Sequence, residues 1–343
     1  MEITTIGLDI AKHVFQVHGV DARGNPLIKR RLRRAEVHQF FAGLPACVVG
    51  LEACATAHYW ARELAAMGHD VKLLPPQYVR PFVKRNKNDA ADAEAICEAV
   101  TRPTMRFVPI KSVEQQSVLM LHRARDLLVR QQTMIVNALR AHLAEFGIIV
   151  PQGIQNMPKV VAIIADDTDQ RVPSLAREAL ASMAAHYAEL KRQISSFETR
   201  IVAWHRSNVM SRRLATIPGI GPITATLLVS TIADPRHFAS ARQFAAWIGL
   251  VPRQYSSGGK ERLGPISKRG NPYLRRLLVI GAHSVLRWGR ARLAQVSRWL
   301  QGLLARRPLN VVATALAHKM ARTVWAVMTK KVAYTAPKIV AAA

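Results

Sequence analysis

Four acidic residues in the first hundred positions have the type and spacing of a divalent-metal site. Asp9 lies inside the apolar run ITTIGLDI (3–10), and Glu52 ends the apolar run ACVVGLE (46–52). Asp89 and Asp92 lie three residues apart in the helical pattern NDAADAEAICEAV, after the basic segment KRNKN (84–88). A carboxylate in an apolar strand is costly to bury unless something binds it. Mg²⁺ prefers such oxygen ligands, and Mn²⁺ is a possible substitute.

Carboxylates from a strand centre, a neighbouring strand end and a helix face can converge on divalent ions that catalyse phosphoryl transfer. We therefore predict that Asp9, Glu52, Asp89 and Asp92 are catalytic metal ligands. Two simpler interpretations stay open. Asp89 could cap the helix while Asp92 favours its positive end, and Glu52 could be an exposed strand end.

The elements that must position these acids predict a mixed α/β sheet. Three apolar runs favour meandering strands at 3–10, 13–20 and 26–33, with the turn DARGNP between the second and third. Strands then alternate with helices; we expect helices at 35–43 and 56–67 and strands at 46–52 and 70–75. This order of strands and acids is that of the RNase H-like fold.

The charge distribution favours a nucleic-acid partner. The chain has 343 residues and a net charge of +27. Residues 201–343 carry 23 basic residues and only two acidic ones, Asp234 and Glu261, so this part alone has a net charge of +21. Such a polycation on an apolar frame binds polyanions, of which nucleic acid is the default. A membrane surface is disfavoured, because the charges are not confined to one amphipathic helix.

The cysteines and the apolar runs favour a cytoplasmic protein. Three scattered cysteines, at 47, 54 and 97, are too few for a disulfide framework or a zinc site. The N-terminus lacks the pattern of a signal peptide. The longest uncharged run (214–233) is interrupted by prolines and glycines, which disfavours a membrane span.

The middle of the chain is predicted to be helical. Residues 115–146 have apolar residues at three- and four-residue spacing, and a second helix is expected at 174–206. The segment 151–173, which contains several aspartates, is typical of a surface connection. The two helices form either a coiled-coil spacer for oligomerisation or a plain helical hairpin. The expected division is 1–110, 111–206 and 207–331, with a flexible tail at 332–343.

A helix-hairpin-helix-like turn is predicted at IPGIGPITA (217–225). Gly219 and Gly221 permit positive φ and let the backbone approach a phosphate. Backbone N–H groups bind phosphate there without reading base sequence. Arg212 and Arg213 lie just upstream and favour this interpretation over an ordinary helix connection.

A basic loop is predicted at 253–272, between helices at 240–247 and 272–295, with a last helix at 308–330. Its composition favours phosphate binding; the basic residues are Arg253, Lys260, Arg262, Lys268, Arg269, Arg275 and Arg276. Ser256 and Ser257 lie inside it. A serine among guanidinium groups can attack a phosphodiester, or it can simply form a hydrogen bond to phosphate.

Taken together, these motifs resemble the DEDD-type insertion-sequence transposases that are guided by a bridge RNA. The resemblance covers nearly the whole chain. It is carried in the first domain by GLDIAK (7–12), GLEAC (50–54) and KNDAADAEAI (87–96). In the last domain it is carried by IPGIGPITA (217–225), FAAWIGLVPRQYSSGGK (244–260) and GPISKRGNPYLRRLLV (264–279). It implies a RuvC-like DEDD domain, a helical spacer and a mainly helical transposase domain.

The resemblance also implies a mechanism and partners. Asp9, Glu52, Asp89 and Asp92 would bind Mg²⁺, and a serine would form a covalent phosphoserine link to DNA. The family's pattern places this serine directly before the glycine, which favours Ser257, with Ser256 as the fallback. A noncoding bridge RNA would pair with donor and target DNA, and dimers would assemble into tetramers. The alternatives are a metal-only nuclease or junction resolvase, and a non-enzymatic nucleic-acid-binding scaffold.

Overall fold

The structure is a computed structural model that describes residues 2–84, 88–288 and 298–335. The chain divides into two compact units, Met1–Val113 and Glu114–Ala343. The finer division at 110, 206 and 331 stays a prediction. Three predicted features fall partly outside the described residues: the centre of the basic segment KRNKN, the end of the helix at 272–295 and most of the tail at 332–343.

The first unit is built on a five-stranded sheet with the order β3-β2-β1-β4-β5. Its strands are β1 (Thr5–Ile10), β2 (Val14–Val20), β3 (Pro26–Arg33), β4 (Val48–Glu52) and β5 (Asp70–Leu74). The first three strands form an antiparallel meander, whereas β4 is parallel to β1 and β5 is parallel to β4. The predicted mixed α/β sheet is confirmed.

The two faces of this sheet are covered by different helices. The helices are α1 (Val37–Ala42), α2 (Ala57–Ala66), α3 (Pro76–Val79) and α4 (Asp89–Val100). Alternate apolar residues of the strands, among them Leu8 and Phe15, form one core with α1 and α2. The opposite face packs against α4. Since side chains alternate along a strand, residues 7 and 9 of β1 lie on the α4 face.

Two long helices begin the second unit. They are α5 (Val113–Glu145) and α7 (Ser174–Ser207), close to the predicted bounds. The interpretation of 151–173 as a surface connection is wrong, because this segment contains the helix α6 (Met157–Ala165). Met157, Val160 and Ile164 of α6 are buried in a core that includes Leu139 and Leu143 of α5. Apolar residues at helical spacing therefore outweigh the polar flanks of the segment.

The rest of the second unit is mainly helical, as predicted. Its helices are α8 (Val209–Leu214), α9 (Pro222–Thr231), α10 (Ala241–Ile248), α11 (Pro272–Trp288), α12 (Arg298–Arg306) and α13 (Leu309–Lys330). These helices share one hydrophobic core. Within the residues described, no helix has both the length and the apolar character that a membrane span needs.

The basic segment at 253–272 is not simply a loop. It contains an antiparallel hairpin of β6 (Pro252–Gln254) and β7 (Leu263–Ile266). The strands are short and mostly exposed, so they lack the apolar alternation by which a strand is predicted. Backbone pairing holds the hairpin together, including the hydrogen bond from Tyr255 N–H to Arg262 O at 2.8 Å.

Candidate active site

Three of the four predicted metal ligands meet at one place in the first unit. Asp9 is in β1, and Asp89 and Asp92 are in the first turn of α4. One carboxylate oxygen from each of the three lies within 4.8 Å of the other two. Asp9 and Asp92 are half-buried and Asp89 is exposed. The three carboxylates thus converge at an edge that solvent and a substrate can reach.

This donor set fits a divalent metal ion. Three carboxylates are hard oxygen donors, and Mg²⁺ is usually held by one or two carboxylates together with water and phosphate oxygens. The solvent-accessible position of the cluster leaves room for those further ligands. Three like charges this close also repel each other unless a cation compensates them.

The N-terminus of α4 shows what places Asp89 and Asp92. Asn88 is the N-cap, and its side chain accepts a hydrogen bond from Ala91 N–H at 2.8 Å. The alternative that Asp89 caps the helix is therefore wrong. Asn88 was missed as a positioning residue, although an Asn directly before a helical pattern is a recognised cap signal. With the cap taken by Asn88, both aspartates project from the first turn.

A close backbone approach sets the distance between α4 and β1. A Cβ atom on Gly7 would lie 2.1 Å from the carbonyl oxygen of Ala93 and 2.4 Å from the amide nitrogen of Cys97. Only glycine allows α4 to lie this close to β1. Gly50 of β4 makes a milder approach, 3.0 Å from Val100 Cβ. The sequence signal for both is a glycine two residues before an acid, in GLD and GLE.

Glu52 is near this cluster but is not one of the three converging carboxylates. It ends β4, and its neighbour Leu51 pairs with Leu8 of β1, so Glu52 stands beside Asp9 in the sheet register. Burial raises the pKa of the Cys54 thiol, and the charges of Glu52 and Asp9 raise it further. Both carboxylates therefore lie close to Cys54. The role of Glu52 as a metal ligand stays a prediction.

The predicted nucleophile lies at the tip of the β6–β7 hairpin. Ser256 and Ser257 are exposed and are followed by Gly258 and Gly259, which have φ of 56° and 76°. The Ser256 hydroxyl accepts hydrogen bonds from Gln254 Nε2 and from Arg262 N–H, both at 3.2 Å. Ser257 pairs with Lys260 through its backbone only. The two serines are therefore not equivalent, because Ser256 stabilises the hairpin.

Two transposase family models match the chain. A model described as "Transposase IS116/IS110/IS902 family" matches residues 211–297. A second model, described as "Transposase" and representing the DEDD domain of IS110 elements, matches residues 6–148. These ranges include the hairpin with both serines and the carboxylate cluster.

Several relatives align with almost the whole chain. A probable family 20 transposase of Pseudomonas aeruginosa is 48% identical over 335 residues, which cover 97% of this chain and 99% of the relative. The transposase for insertion sequence element IS1328 of Yersinia enterocolitica is 43% identical, over 96% of this chain and 97% of its own length. The transposase for IS1111A of Coxiella burnetii is 40% identical, over 97% and 92%.

The chain belongs to the IS110/IS116 transposase family. It is an insertion-sequence transposase, an enzyme that cleaves and rejoins DNA. The resemblance drawn from the sequence motifs is confirmed at this level.

Not all of the basic residues of this transposase face solvent. Lys260 and Arg262 at the hairpin tip are exposed, as are Arg253, Lys268 and Arg269. Arg275, in contrast, donates hydrogen bonds to the carbonyl oxygens of Ile248 at 2.9 Å and Arg269 at 2.8 Å. It therefore ties the end of α10 to the segment after β7. Arg275 acts as a structural clamp here.

Arg276 is also engaged within the protein. It forms an ion pair with Asp126 of α5 and lies over the ring of Tyr273, 5.1 Å from the centroid. The guanidinium of Arg125 binds Glu198 at 2.6 Å and the Tyr273 hydroxyl at 3.3 Å. These contacts join α5, α7 and α11. Binding of a phosphate by Arg276 has to compete with Asp126.

The turn at 217–225 differs from its prediction in one respect. Gly219 has the expected positive φ of 85°, but Gly221 has φ of −84°, which any residue adopts. A Cβ on Gly219 would lie 2.7 Å from the carbonyl oxygen of Gly281 in α11. Packing against α11 thus requires Gly219. Of the two glycines, only Gly221 has open space where a Cβ would lie. Upstream of the turn, Arg212 is exposed and Arg213 is half-buried.

Proposed function

We propose that this transposase excises and inserts its element under the guidance of a noncoding bridge RNA, through a phosphoserine intermediate at Ser257. The observation that carries the catalytic part is the convergence of Asp9, Asp89 and Asp92 within 4.8 Å. Glu52 is proposed as the fourth carboxylate. Mg²⁺ is the proposed ion and Mn²⁺ its substitute, because the donors are carboxylate oxygens.

Asp9, Asp89 and Asp92 would hold the divalent ion at whose site the scissile phosphate is oriented. A bound divalent ion supplies charge stabilisation to a phosphate in transfer. Asp9 is held by the sheet ladder, and Asp89 and Asp92 are held by the capped first turn of α4. A rigid donor set of this kind keeps the reacting groups in a fixed geometry, which lowers the entropic part of the barrier.

Ser257 would attack the scissile phosphorus through its Oγ atom. A bond forms between Oγ and phosphorus, the bond from phosphorus to the deoxyribose oxygen breaks, the serine proton passes to a solvent base, and the leaving oxygen takes up a proton from solvent to become a hydroxyl. A hydroxyl of the second DNA strand then displaces the serine and rejoins the backbone. Lys260 and Arg262 carry positive charge at the hairpin tip, where they stabilise the charge that develops on the phosphate.

The hydrogen bonds favour Ser257 over Ser256. The Ser256 hydroxyl accepts a hydrogen bond from Gln254 on its own arm of the hairpin and one from Arg262 N–H on the opposite arm. Among the described residues, the Ser257 hydroxyl forms no hydrogen bond, and its side chain is exposed at the tip. A nucleophile has to approach the phosphate, so the serine that does not hold the hairpin together is the better candidate.

Assembly into dimers and tetramers rests on the resemblance and on one surface of α5. Met120, Leu127 and Met134 recur at every seventh position, and their exposed fractions are 67%, 48% and 69%. An apolar stripe with seven-residue spacing is typical of a helix that pairs with another helix. We propose that α5 contributes to the dimer contact.

A trapping experiment tests the covalent step. End-labelled DNA that spans the element junction is incubated with the protein, the RNA transcribed from the element end and Mg²⁺, and adducts are separated on a denaturing gel. We expect an adduct with the wild type and with Ser256→Ala, and none with Ser257→Ala. Asp9→Asn should form neither adduct nor product.

Each outcome separates the alternatives. Full strand transfer by Ser257→Ala would rule out the covalent serine and favour a metal-only nuclease. Normal recombination by Asp9→Asn would rule out the carboxylate site. Recombination that persists without the RNA would rule out RNA guidance and leave the transposase activity in place.

A further inference from the structure

The edge strand β3 carries three cations on one face and a single cation, Arg30, on the other. Its residues alternate between the two sides of the sheet. Leu32 is fully buried on the α1 and α2 side, and the guanidinium of Arg30 lies over the ring of Phe40, 5.6 Å from the centroid. The three positions before, between and after these two residues lie on the opposite face and are all exposed. We call this set the basic row; it consists of Lys29, Arg31 and Arg33.

The basic row shares its face with the carboxylate cluster. In the sheet register Asp9 pairs with Gln16, and Gln16 pairs with Arg31. Arg31 is therefore two strands away from Asp9, a backbone separation of about 10 Å. Gly7, His18 and Lys29 form the neighbouring line of the register. The cations thus lie on the same sheet face as the carboxylate cluster and are separated from it by β2.

No helix covers this part of the sheet face among the described residues. Helix α4 packs on β1, β2 and β4, and it places Ala93 and Cys97 over Gly7. Its main contacts are with these three strands, and the basic row on β3 is exposed to solvent. We call this exposed surface the shelf. A nucleic-acid strand lying on this shelf would run past the carboxylates without displacing any described helix or strand of the unit.

The side chains of the basic row form no ion pair with a carboxylate among the described residues, although the backbone N–H of Arg33 donates a hydrogen bond to Glu36 Oε2 at 2.7 Å. Lys84, on the same side of the sheet, forms ion pairs with Glu94 at 3.1 Å and Glu98 at 3.5 Å. None of the ion pairs between described residues involves a member of the basic row. Lys29 lies near enough to add to the effect of Lys84 in lowering the pKa of Glu94. All three side chains are nevertheless exposed and not held in ion pairs, so they can bind an anion from outside the chain.

Protection of a sheet edge is the simpler explanation for cations on β3. It accounts for charge on an edge strand, but it does not require a row on one face. Neighbouring members of the basic row are two residues apart, which is about 6.6 Å along a strand. This spacing suits successive phosphates of an extended nucleic-acid strand.

We propose that the basic row binds the phosphodiester backbone of the strand whose scissile phosphate enters the carboxylate cluster. This inference rests on the proposed function, because it assumes that the cluster is the cleavage site. The phosphates belong to DNA or to RNA in a hybrid with it, and both offer the same chemistry to lysine and arginine. The row selects no sequence, since phosphate contacts carry no base information.

The test uses the full-length protein and a charge-matched control. The row variant combines Lys29→Gln, Arg31→Gln and Arg33→Gln. The control removes the same charge from exposed positions of the first unit that are outside the row: Arg23→Gln, Arg30→Gln and Arg80→Gln. Binding of fluorescein-labelled single-stranded DNA, duplex DNA and single-stranded RNA is measured by anisotropy at several salt concentrations without Mg²⁺. Thermal melting verifies that both variants are folded.

We expect the slope of log K against log salt to be shallower for the row variant than for the wild type. Its magnitude should fall by about 2 for a single strand and by about 3 for a duplex. The control should keep the wild-type slope. In cleavage assays the row variant should raise KM while kcat stays within about twofold, because the lost contacts bind substrate and transition state equally. A single Arg31→Lys substitution, which keeps the charge, should retain most of the wild-type affinity. A loss confined to the DNA or the RNA probes identifies which strand lies on the row.

Two results would overturn the inference. Wild-type slopes and KM for the row variant would show that the row does not bind the substrate. Equal losses in the row variant and the control would show a general charge effect. The two hypotheses can be refuted independently. If Asp9→Asn cleaves DNA as the wild type does, the proposed cleavage site is wrong. If Asp9→Asn is inactive while the row variant behaves as the wild type, only the inference about the basic row is wrong.

Discussion

Gly7→Ala should disrupt the carboxylate site without touching any carboxylate. Gly7 lies in β1 two residues before Asp9 and directly under α4, the helix that carries Asp89 and Asp92. The added methyl would point at the backbone of α4, at Ala93, the residue that follows Asp92. Backbone atoms cannot rotate away as a side chain does. Helix α4 therefore has to move away from β1.

The size of this movement follows from the distances. The new Cβ would lie 2.1 Å from the carbonyl oxygen of Ala93, whereas real Cβ contacts stay above 3.0 Å, so the helix must retreat by about 0.9 Å. Forcing an extra methyl into a packed interface costs about 1–3 kcal/mol of unfolding free energy. A misplacement of about 1 Å at a catalytic group lowers the rate by about 100-fold. Activity should therefore fall far more than stability.

Two measurements separate these effects. Calorimetry should show the melting temperature lowered by about 4 °C for each kcal/mol lost. DNA cleavage is then measured well below that temperature, where the variant is folded, and should fall by about 100-fold. Gly43→Ala is the matched control: its Cβ would meet atoms no closer than 3.6 Å, and its φ is −85°. A Gly7→Ala protein with wild-type melting and cleavage would refute the proposed coupling between helix packing and metal geometry.

Further predictions concern the second unit. Burial lowers the pKa of His122 from 6.5 to about 4. Since the unfolded chain takes up this proton first, the unfolding free energy should fall by about 3 kcal/mol between pH 6.5 and 4, and urea titrations of His122→Gln should lack that loss. Arg275→Ala should lower the unfolding free energy by about 2 kcal/mol because it leaves two carbonyls unpaired, whereas Arg262→Ala should weaken DNA binding in anisotropy assays and leave melting unchanged. Leu127→Glu with Met134→Glu should abolish the proposed dimer, so that light scattering shows the mass of a monomer.

The sheet and its acids could be predicted because their signals are local. Apolar runs and the turn at DARGNP predict the three-stranded meander, and in the structure the Asp21 carboxylate accepts hydrogen bonds from Arg23 N–H at 2.8 Å and Asn25 N–H at 2.9 Å. The spacing of Asp89 and Asp92 places both in one helical turn. These features need only neighbouring residues, so the sequence is sufficient.

Features that depend on contacts between distant residues could not be predicted. The position of Glu52 relative to the three converging aspartates depends on the distance between α4 and the sheet. Gly7 and Gly50 together allow that distance to be short. The basic composition of its segment predicts that Arg275 binds phosphate. Composition does not show that the carbonyl oxygen of Ile248 lies within hydrogen-bonding distance of Arg275. The β6–β7 hairpin has no apolar face, so no periodicity marks it. In each case the deciding partner is far away in the chain or is a backbone atom.

The same distinction limits what net charge says about nucleic-acid binding. Residues 201–343 have a net charge of +21, yet Arg275 is used on carbonyl oxygens and Arg276 is paired with Asp126. Each cation that the fold already uses releases no counterion when nucleic acid binds, so it adds nothing to the salt dependence. The measured slope should therefore be smaller than the number of cations implies. The basic row is the opposite case: it lies in the unit with the smaller excess of charge, but all three of its cations are exposed and form no ion pair among the described residues. Where a cation lies and what it already binds therefore predict phosphate contacts better than how many cations there are.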